Sequence, residues 1–133
     1  MTVERATYMD TSAIVKLAVR EPESAALRRY VRRKHPIVTS ALARTEVARA
    51  LLPFGPDAVG RGDEVLRRID IVRITDQILR AAGSMLPVEL RSLDAIHLAT
   101  AVALGEDLAR VCTYDGRMAA AAAALELTVV APR

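Results

Sequence analysis

Ala6-Thr7-Tyr8-Met9-Asp10-Thr11-Ser12-Ala13 reads as a short strand from Ala6 to Met9, a carboxylate at its end, and the start of a helix over Ser12 to Arg20, closed by Glu21-Pro22. Similar short runs follow it along the chain. A second helix is predicted over Glu23 to Arg33, with Ala26, Leu27, Tyr30 and Val31 on one stripe. Pro36 breaks it before a strand at Ile37 to Thr39. Ser40 is placed to cap a helix over Ala41 to Leu52, which Pro53-Phe54-Gly55-Pro56 ends. A helix resumes from Asp57 to Ile69, although Gly60 and Gly62 weaken its propensity. Ile71 to Ile74 is a β-branched strand. Thr75 or Asp76 caps a helix through Leu86, and Pro87 stops it. Ser92 opens a helix over Leu93 to Leu104, ended by Gly105. Val111 to Thr113 is a strand, Asp115-Gly116 a turn, Arg117 to Leu125 a helix and Thr128 to Val130 a last strand. Strands alternating with helices predict an α/β fold, a short central parallel sheet with helices on both faces.

Composition sets the bounds. The chain has 133 residues, which fits a single domain over 1–133 able to bury a core without staples. No linker or internal repeat is visible. Apolar residues make up 52%, aromatics only 3%, and Trp is absent, so Ala, Val, Leu and Ile must build that core. Cys112 has no partner for an internal disulfide and lies in an apolar run. It is expected to be a buried structural residue in a reducing cytoplasm. The start Met-Thr-Val-Glu-Arg lacks a secretory pattern, and no apolar run approaches the roughly 20 residues that span a bilayer. A cytoplasmic protein without membrane contact is expected. Net charge is +3, and only Lys16 and Lys34 among the basic residues are lysines. The cluster Arg28-Arg29-Tyr30-Val31-Arg32-Arg33-Lys34 is either a solvated helix face or a phosphate-binding edge.

The chemistry rests with four acids. Asp10 ends the first strand, and Asp115 follows a later one by two residues. Ligands of open α/β sheets gather beyond the carboxyl ends of strands, so these two can meet. Asp94 stands among Leu93, Ala95, Ile96 and Leu98, and Glu46 among Ala43, Val47, Ala48 and Leu51. Each has a bland explanation. Asp94 suits a helix N-terminus, Asp115-Gly116 is a turn signal, Glu46 can pair with Arg49 at i, i+3, and Asp10 can cap a helix. Together they share an apolar setting in which a lone charge is costly. Grouped carboxylates take up protons unless a cation neutralises them, and Mg²⁺ is the hard, oxygen-seeking candidate. Such a site orients water for in-line attack on a phosphodiester. Ser12 and Thr113, each two residues from an acid, are candidates to hydrogen-bond the carboxylates or metal waters. His97, one turn after Asp94, is expected to be a packed or supporting residue rather than a catalytic base.

These residues also match a family. Tyr8-Met9-Asp10-Thr11-Ser12-Ala13, Glu46 with Arg49, Ser92-Leu93-Asp94-Ala95-Ile96-His97-Leu98-Ala99-Thr100-Ala101 and Thr113-Tyr114-Asp115 come in the order seen in PIN-domain ribonucleases. The chain most resembles their VapC toxins of bacterial toxin–antitoxin pairs. The resemblance covers essentially the whole chain. It implies a Mg²⁺- or Mn²⁺-dependent endoribonuclease that cuts loops of transfer or ribosomal RNA, a homodimer, and a VapB-like antitoxin that inhibits it. It carries metal binding onto Asp10, Glu46, Asp94 and Asp115, with Ser12, Thr113 and Arg49 in support. Asp107 is the poorer competitor of Asp115. The competing readings are a catalytically silent PIN-like module that binds RNA or protein, and a phosphoesterase acting on DNA. A receiver-like domain would want an early acidic pair and a late lysine, and the chain has neither.

Overall fold

The computed structural model describes residues 5–33 and 35–133, so Lys34 of the basic cluster lies outside it. β1 (Ala6–Met9) is the central strand of a five-stranded parallel sheet. β2 (Ile37–Ser40) and β3 (Asp70–Val72) extend it on one side, β4 (Leu108–Cys112) and β5 (Val129–Val130) on the other. The predicted α/β class and parallel sheet are both present. The helices are α1 (Thr11–Ala18), α2 (Ser24–Val31), α3 (Ala43–Leu51), α4 (Pro56–Arg67), α5 (Asp76–Gly83), α6 (Ser92–Ala103) and α7 (Gly116–Ala124).

Alternation along β1 divides the core between the two faces. Met9 joins Ala13, Ile14, Leu27, Val47, Leu51 and Cys112 on the side of α1 to α4. Ala6 and Tyr8 join Val38, Ala101, Leu108 and Val111 on the side of α6. Leu98, Met118, Ala121 and Ala122 then fasten α6 to α7. Cys112 is fully buried, as expected, and burial pushes its thiol up to about 12, with the nearby Asp10 adding to the effect. That thiol stays protonated and inert.

Several boundaries move, each for a local reason. Ser40 ends β2 instead of capping a helix. Its Oγ accepts from the Leu42 amide at 3.1 Å within a turn, and α3 begins only at Ala43. After α3 a single 3₁₀ turn, Leu52–Phe54, leads through Gly55 at φ 93° directly into α4, with Pro56 at its first position. The glycines that weakened the prediction of α4 have a use: a Cβ on Gly62 would lie 2.5 Å from Leu51 Cδ1, so the missing side chain lets α3 and α4 approach. α5 stops at Gly83, three residues short of Leu86. β4 starts at Leu108 rather than Val111, because half-buried Arg110 belongs to the strand and reaches Thr7 Oγ1 and Tyr30 Oη from it.

The topology creates the site. From β1 the chain builds outward through β2 to β3, then returns to place β4 on the opposite side of β1. The crevice beyond the carboxyl ends of β1 and β4 is the point where strand order reverses, the usual place for a ligand in such sheets. Met9 pairs with Cys112 in register, so the residues that follow each strand emerge side by side.

Candidate active site

Asp10 leaves β1 at this crevice and is 3% exposed. It caps α1: Oδ1 accepts from the Ala13 amide at 3.2 Å and from Ser12 Oγ at 2.6 Å. Thr113, fully buried just past β4, donates its hydroxyl to Oδ2. Ser12 Oγ in turn accepts from the Tyr114 amide at 2.9 Å, which ties the loop after β4 to the first turn of α1. Ser12 is therefore not the cap. It braces the residue that is. Burial raises the Asp10 carboxyl above its ordinary range, despite the opposing bonds from Ser12, Thr113 and Ala13. The site thus holds a carboxylate that water alone solvates poorly.

Glu46 projects from the first turn of α3. Its Oε1 accepts from Thr11 Oγ1 at 2.7 Å and from His97 Nε2 at 2.5 Å. These partners, and not the exposed Arg49, hold it. Burial acts to raise the Glu46 carboxyl, but the His97 and Thr11 bonds outweigh it and hold the group below the usual range. Asp94 lies in the first turn of α6, half-buried. Burial and the neighbouring charges of Asp115 and Glu46 raise it, against the pull of His97 and Arg91. Asp115 caps α7, with Oδ1 accepting from the amides of Arg117 at 2.8 Å and Met118 at 3.2 Å. The turn signal at Asp115-Gly116 was thus a helix cap, and it does not exclude the acid from the cluster.

Asp107 lies apart from Asp115. It ends the 3₁₀ turn Gly105–Asp107 at the opposite end of β4, exposed, a whole strand away from Thr113. Two contributors lacked a sequence signal of their own. Thr11 sits unremarked between Asp10 and Ser12, and Tyr8 is one of the alternating residues of β1, yet both belong to the polar chain that reaches Glu46.

Oxygen-rich, mutually repelling acids suit a hard cation. Among the described residues, no three His, Cys, Asp or Glu side chains stand close enough together to hold a metal ion between them. The arrangement fits an ion that keeps several of its waters and takes only one or two carboxylates directly. A groove of about 1000 Å³ leads away from Asp94, lined among others by Leu90, Arg91, Arg117, Ala121 and Leu125. The basic cluster lies elsewhere: Arg28 and Arg32 line a second groove with Arg61 and Arg68, whose walls include none of the four acids.

Residues 7–124 match the PIN domain family. The chain belongs to the PIN-domain family. This PIN domain is 60% identical over 127 residues to Ribonuclease VapC46 of Mycobacterium tuberculosis (strain ATCC 25618 / H37Rv), an alignment covering 96% of the chain and 98% of that relative. Its fold is similar to that of Mycobacterium tuberculosis VapC20, described as a sarcin–ricin loop cleaving toxin, with a TM-score of 0.73 and 19% identity over 86% of this chain and 94% of that one. It is also similar to a chain in a toxin–antitoxin complex from Klebsiella pneumoniae, with a TM-score of 0.71 and 21% identity over 96% and 98% of the two chains. At such identities these two likenesses are of fold. Among the described residues no helix is long and apolar enough to cross a membrane.

Proposed function

We propose that this PIN domain is a metal-dependent endoribonuclease serving as the toxin of a VapBC-like toxin–antitoxin pair. The observation that carries the reading is the coupling of acids from three separate elements, where Asp115 and Glu46 both raise the Asp94 carboxyl, beside the buried Asp10 at the strand-order reversal. The 60% identity to a named ribonuclease supports RNA as the polymer it acts on. Asp10, Glu46, Asp94 and Asp115 hold the cation, one or two of them directly and the others through its waters, with Mg²⁺ preferred and Mn²⁺ as substitute. Bound there, the ion supplies an activated water and charge neutralisation for phosphodiester hydrolysis. Ser12 and Thr113 lock Asp10 in its orientation. Arg49, exposed on α3 one turn beyond Glu46, faces solvent where a substrate phosphate can meet it. The chain works in the cytoplasm as a single domain over 1–133 and as a homodimer, on loops of transfer or ribosomal RNA, and a VapB-like antitoxin restrains it. The toxin–antitoxin complex of similar fold supports that partner.

The direct test incubates the purified chain and Mg²⁺ with a labelled single-stranded RNA and with DNA of the same sequence. Cleavage of the RNA alone is expected. Equal cutting of DNA would replace the assignment with a general phosphoesterase, and RNA binding without cleavage would replace it with a silent binding module. Sequencing of new RNA ends after expression identifies the target.

The acid limb of the pH profile is a second expectation. The raised carboxyls of Asp94 and Asp10 take up protons at a pH above the usual aspartate value of about 3.9. Their ionised forms, and with them cation affinity, are therefore lost as pH falls through those raised values, while Glu46 stays charged to lower pH. Mn²⁺ affinity titrated from pH 8 downward should begin to fall before ordinary aspartates protonate. A flat affinity down to pH 4 would contradict this.

A further inference from the structure

We infer that His97, oriented by the Tyr8 hydroxyl, is the positioning residue of Glu46. On the reading of Glu46 as one of the cation-holding acids, this dyad sets how tightly the site binds its ion.

The geometry begins inside the sheet. Tyr8 is 1% exposed on the α6 face of β1, and His97 is 2% exposed one turn along α6 from Asp94. Their rings meet edge to face, with centroids 5.8 Å apart and planes at 74°. The Tyr8 hydroxyl lies 2.5 Å from His97 Nδ1, and His97 Nε2 lies 2.5 Å from Glu46 Oε1. A carboxylate can only accept, so Nε2 carries the proton on that side. In the neutral ring Nδ1 is then the acceptor, and the phenol donates to it. Tyr8 thereby selects the tautomer that His97 needs in order to donate to Glu46.

This arrangement does more than satisfy a buried ring. The chain of bonds ends on a half-buried carboxylate at the crevice. With Thr11, it commits both donors to the same oxygen, Oε1. Oε2 accepts no hydrogen bond among the described residues. Glu46 is thus gripped by one oxygen while the other is left without a protein donor. The grip crosses the fold, joining β1, α3 and α6, so the position of the acid is coupled to the packing of α6 against the sheet. An outer partner that hydrogen-bonds a ligating group typically changes metal affinity about 10–100-fold when removed.

The test measures Mn²⁺ affinity, by the electron paramagnetic resonance of free Mn²⁺, together with thermal unfolding. Four variants are compared with the wild-type chain: His97→Leu, His97→Gln, Tyr8→Phe and Asp94→Asn. His97→Leu removes the donor and should weaken Mn²⁺ binding by about 10–100-fold. His97→Gln, which keeps an N–H near the position of Nε2, should recover most of that loss. Tyr8→Phe should bind Mn²⁺ more weakly than wild type while leaving every group at the crevice in place. The nitrogen chemical shifts of the His97 ring should report the Nε2–H tautomer in wild type.

A folded His97→Leu with wild-type affinity overturns the proposal, as does equal loss in the Leu and Gln variants or an Nδ1–H tautomer. Should His97→Leu fail to fold, Tyr8→Phe decides: unchanged Mn²⁺ affinity overturns the positioning role. Wild type and Asp94→Asn binding Mn²⁺ alike would overturn the cation site itself, a result distinct from failure of the dyad alone.

Discussion

Asp10→Asn should abolish RNA cleavage, by about 10³-fold or more, while raising the melting temperature of the metal-free protein. The loss follows from removing a charge from the most deeply buried acid at the crevice. A cation supplies several kcal/mol of charge stabilisation to a phosphodiester transition state, and about 4 kcal/mol corresponds to 10³ in rate. The gain in stability follows from linkage. Burial raises the folded-state carboxyl of Asp10 above its unfolded value. Below the unfolded pKa both states are protonated and the group contributes nothing. As pH rises toward the folded pKa the unfolded state releases its proton first, so stability falls. Above the folded pKa the cost of the buried charge is fully expressed. Asparagine is neutral and of the same shape, and its oxygen still accepts from Ser12 and the Ala13 amide, although its Nδ2 cannot accept from Thr113 as Oδ2 does, which offsets part of the gain. An increase of about 2–5 °C is the scale to look for by calorimetry. A variant that loses activity and also melts well below wild type would show that Asp10 is chiefly structural.

Exhaustive chelation should eliminate cleavage, and Mg²⁺ or Mn²⁺ should restore it. The same titration should stabilise the wild-type fold. A ligand that binds only the native state adds about 2.7 kcal/mol at a concentration 100 times its dissociation constant. In a chain of 133 residues that is a rise of several degrees. The rise should shrink in Asp94→Asn and vanish in Asp10→Asn, because the acids whose repulsion the ion relieves are then fewer. The two observables check each other. Cleavage that survives chelation would remove the cation from the chemistry, and a metal-induced shift preserved in Asp10→Asn would place the ion elsewhere.

Both results turn on how the site and the fold share the same residues. Asp10 and Asp115 each cap a helix and each stand at the crevice. At these two positions the structural role and the proposed functional one are compatible. A helix that starts at the end of a strand needs an acceptor at its N-cap, and the same position faces the ligand crevice of a parallel sheet. One carboxylate therefore meets both demands.

Much of the fold was legible in local patterns. The β-branched and apolar runs at Ala6–Met9 and Ile37–Ser40 and the 3.6-residue stripe of α2 require only a few neighbouring residues to read. Local propensity was the poorer guide where it met a tertiary partner. Gly62 lowers helix propensity, yet the space it leaves beside Leu51 lets α4 pack. Arg110 looks unsuited to a buried strand, yet Tyr30 and Thr7 give its guanidinium acceptors.

The sequence alone determined the alternation of strands and helices, the acids at the strand ends and their order along the chain, because propensity and periodicity act over a few residues. Tertiary structure decided which acids meet and what holds them. It placed Asp107 at the far end of β4 from Thr113 and Asp115. It also joined Glu46 to His97 across 51 residues of chain and Asp10 to Thr113 across 103. Those pairings depend on strand order and on the faces that helices turn toward the sheet, and no short-range pattern encodes either.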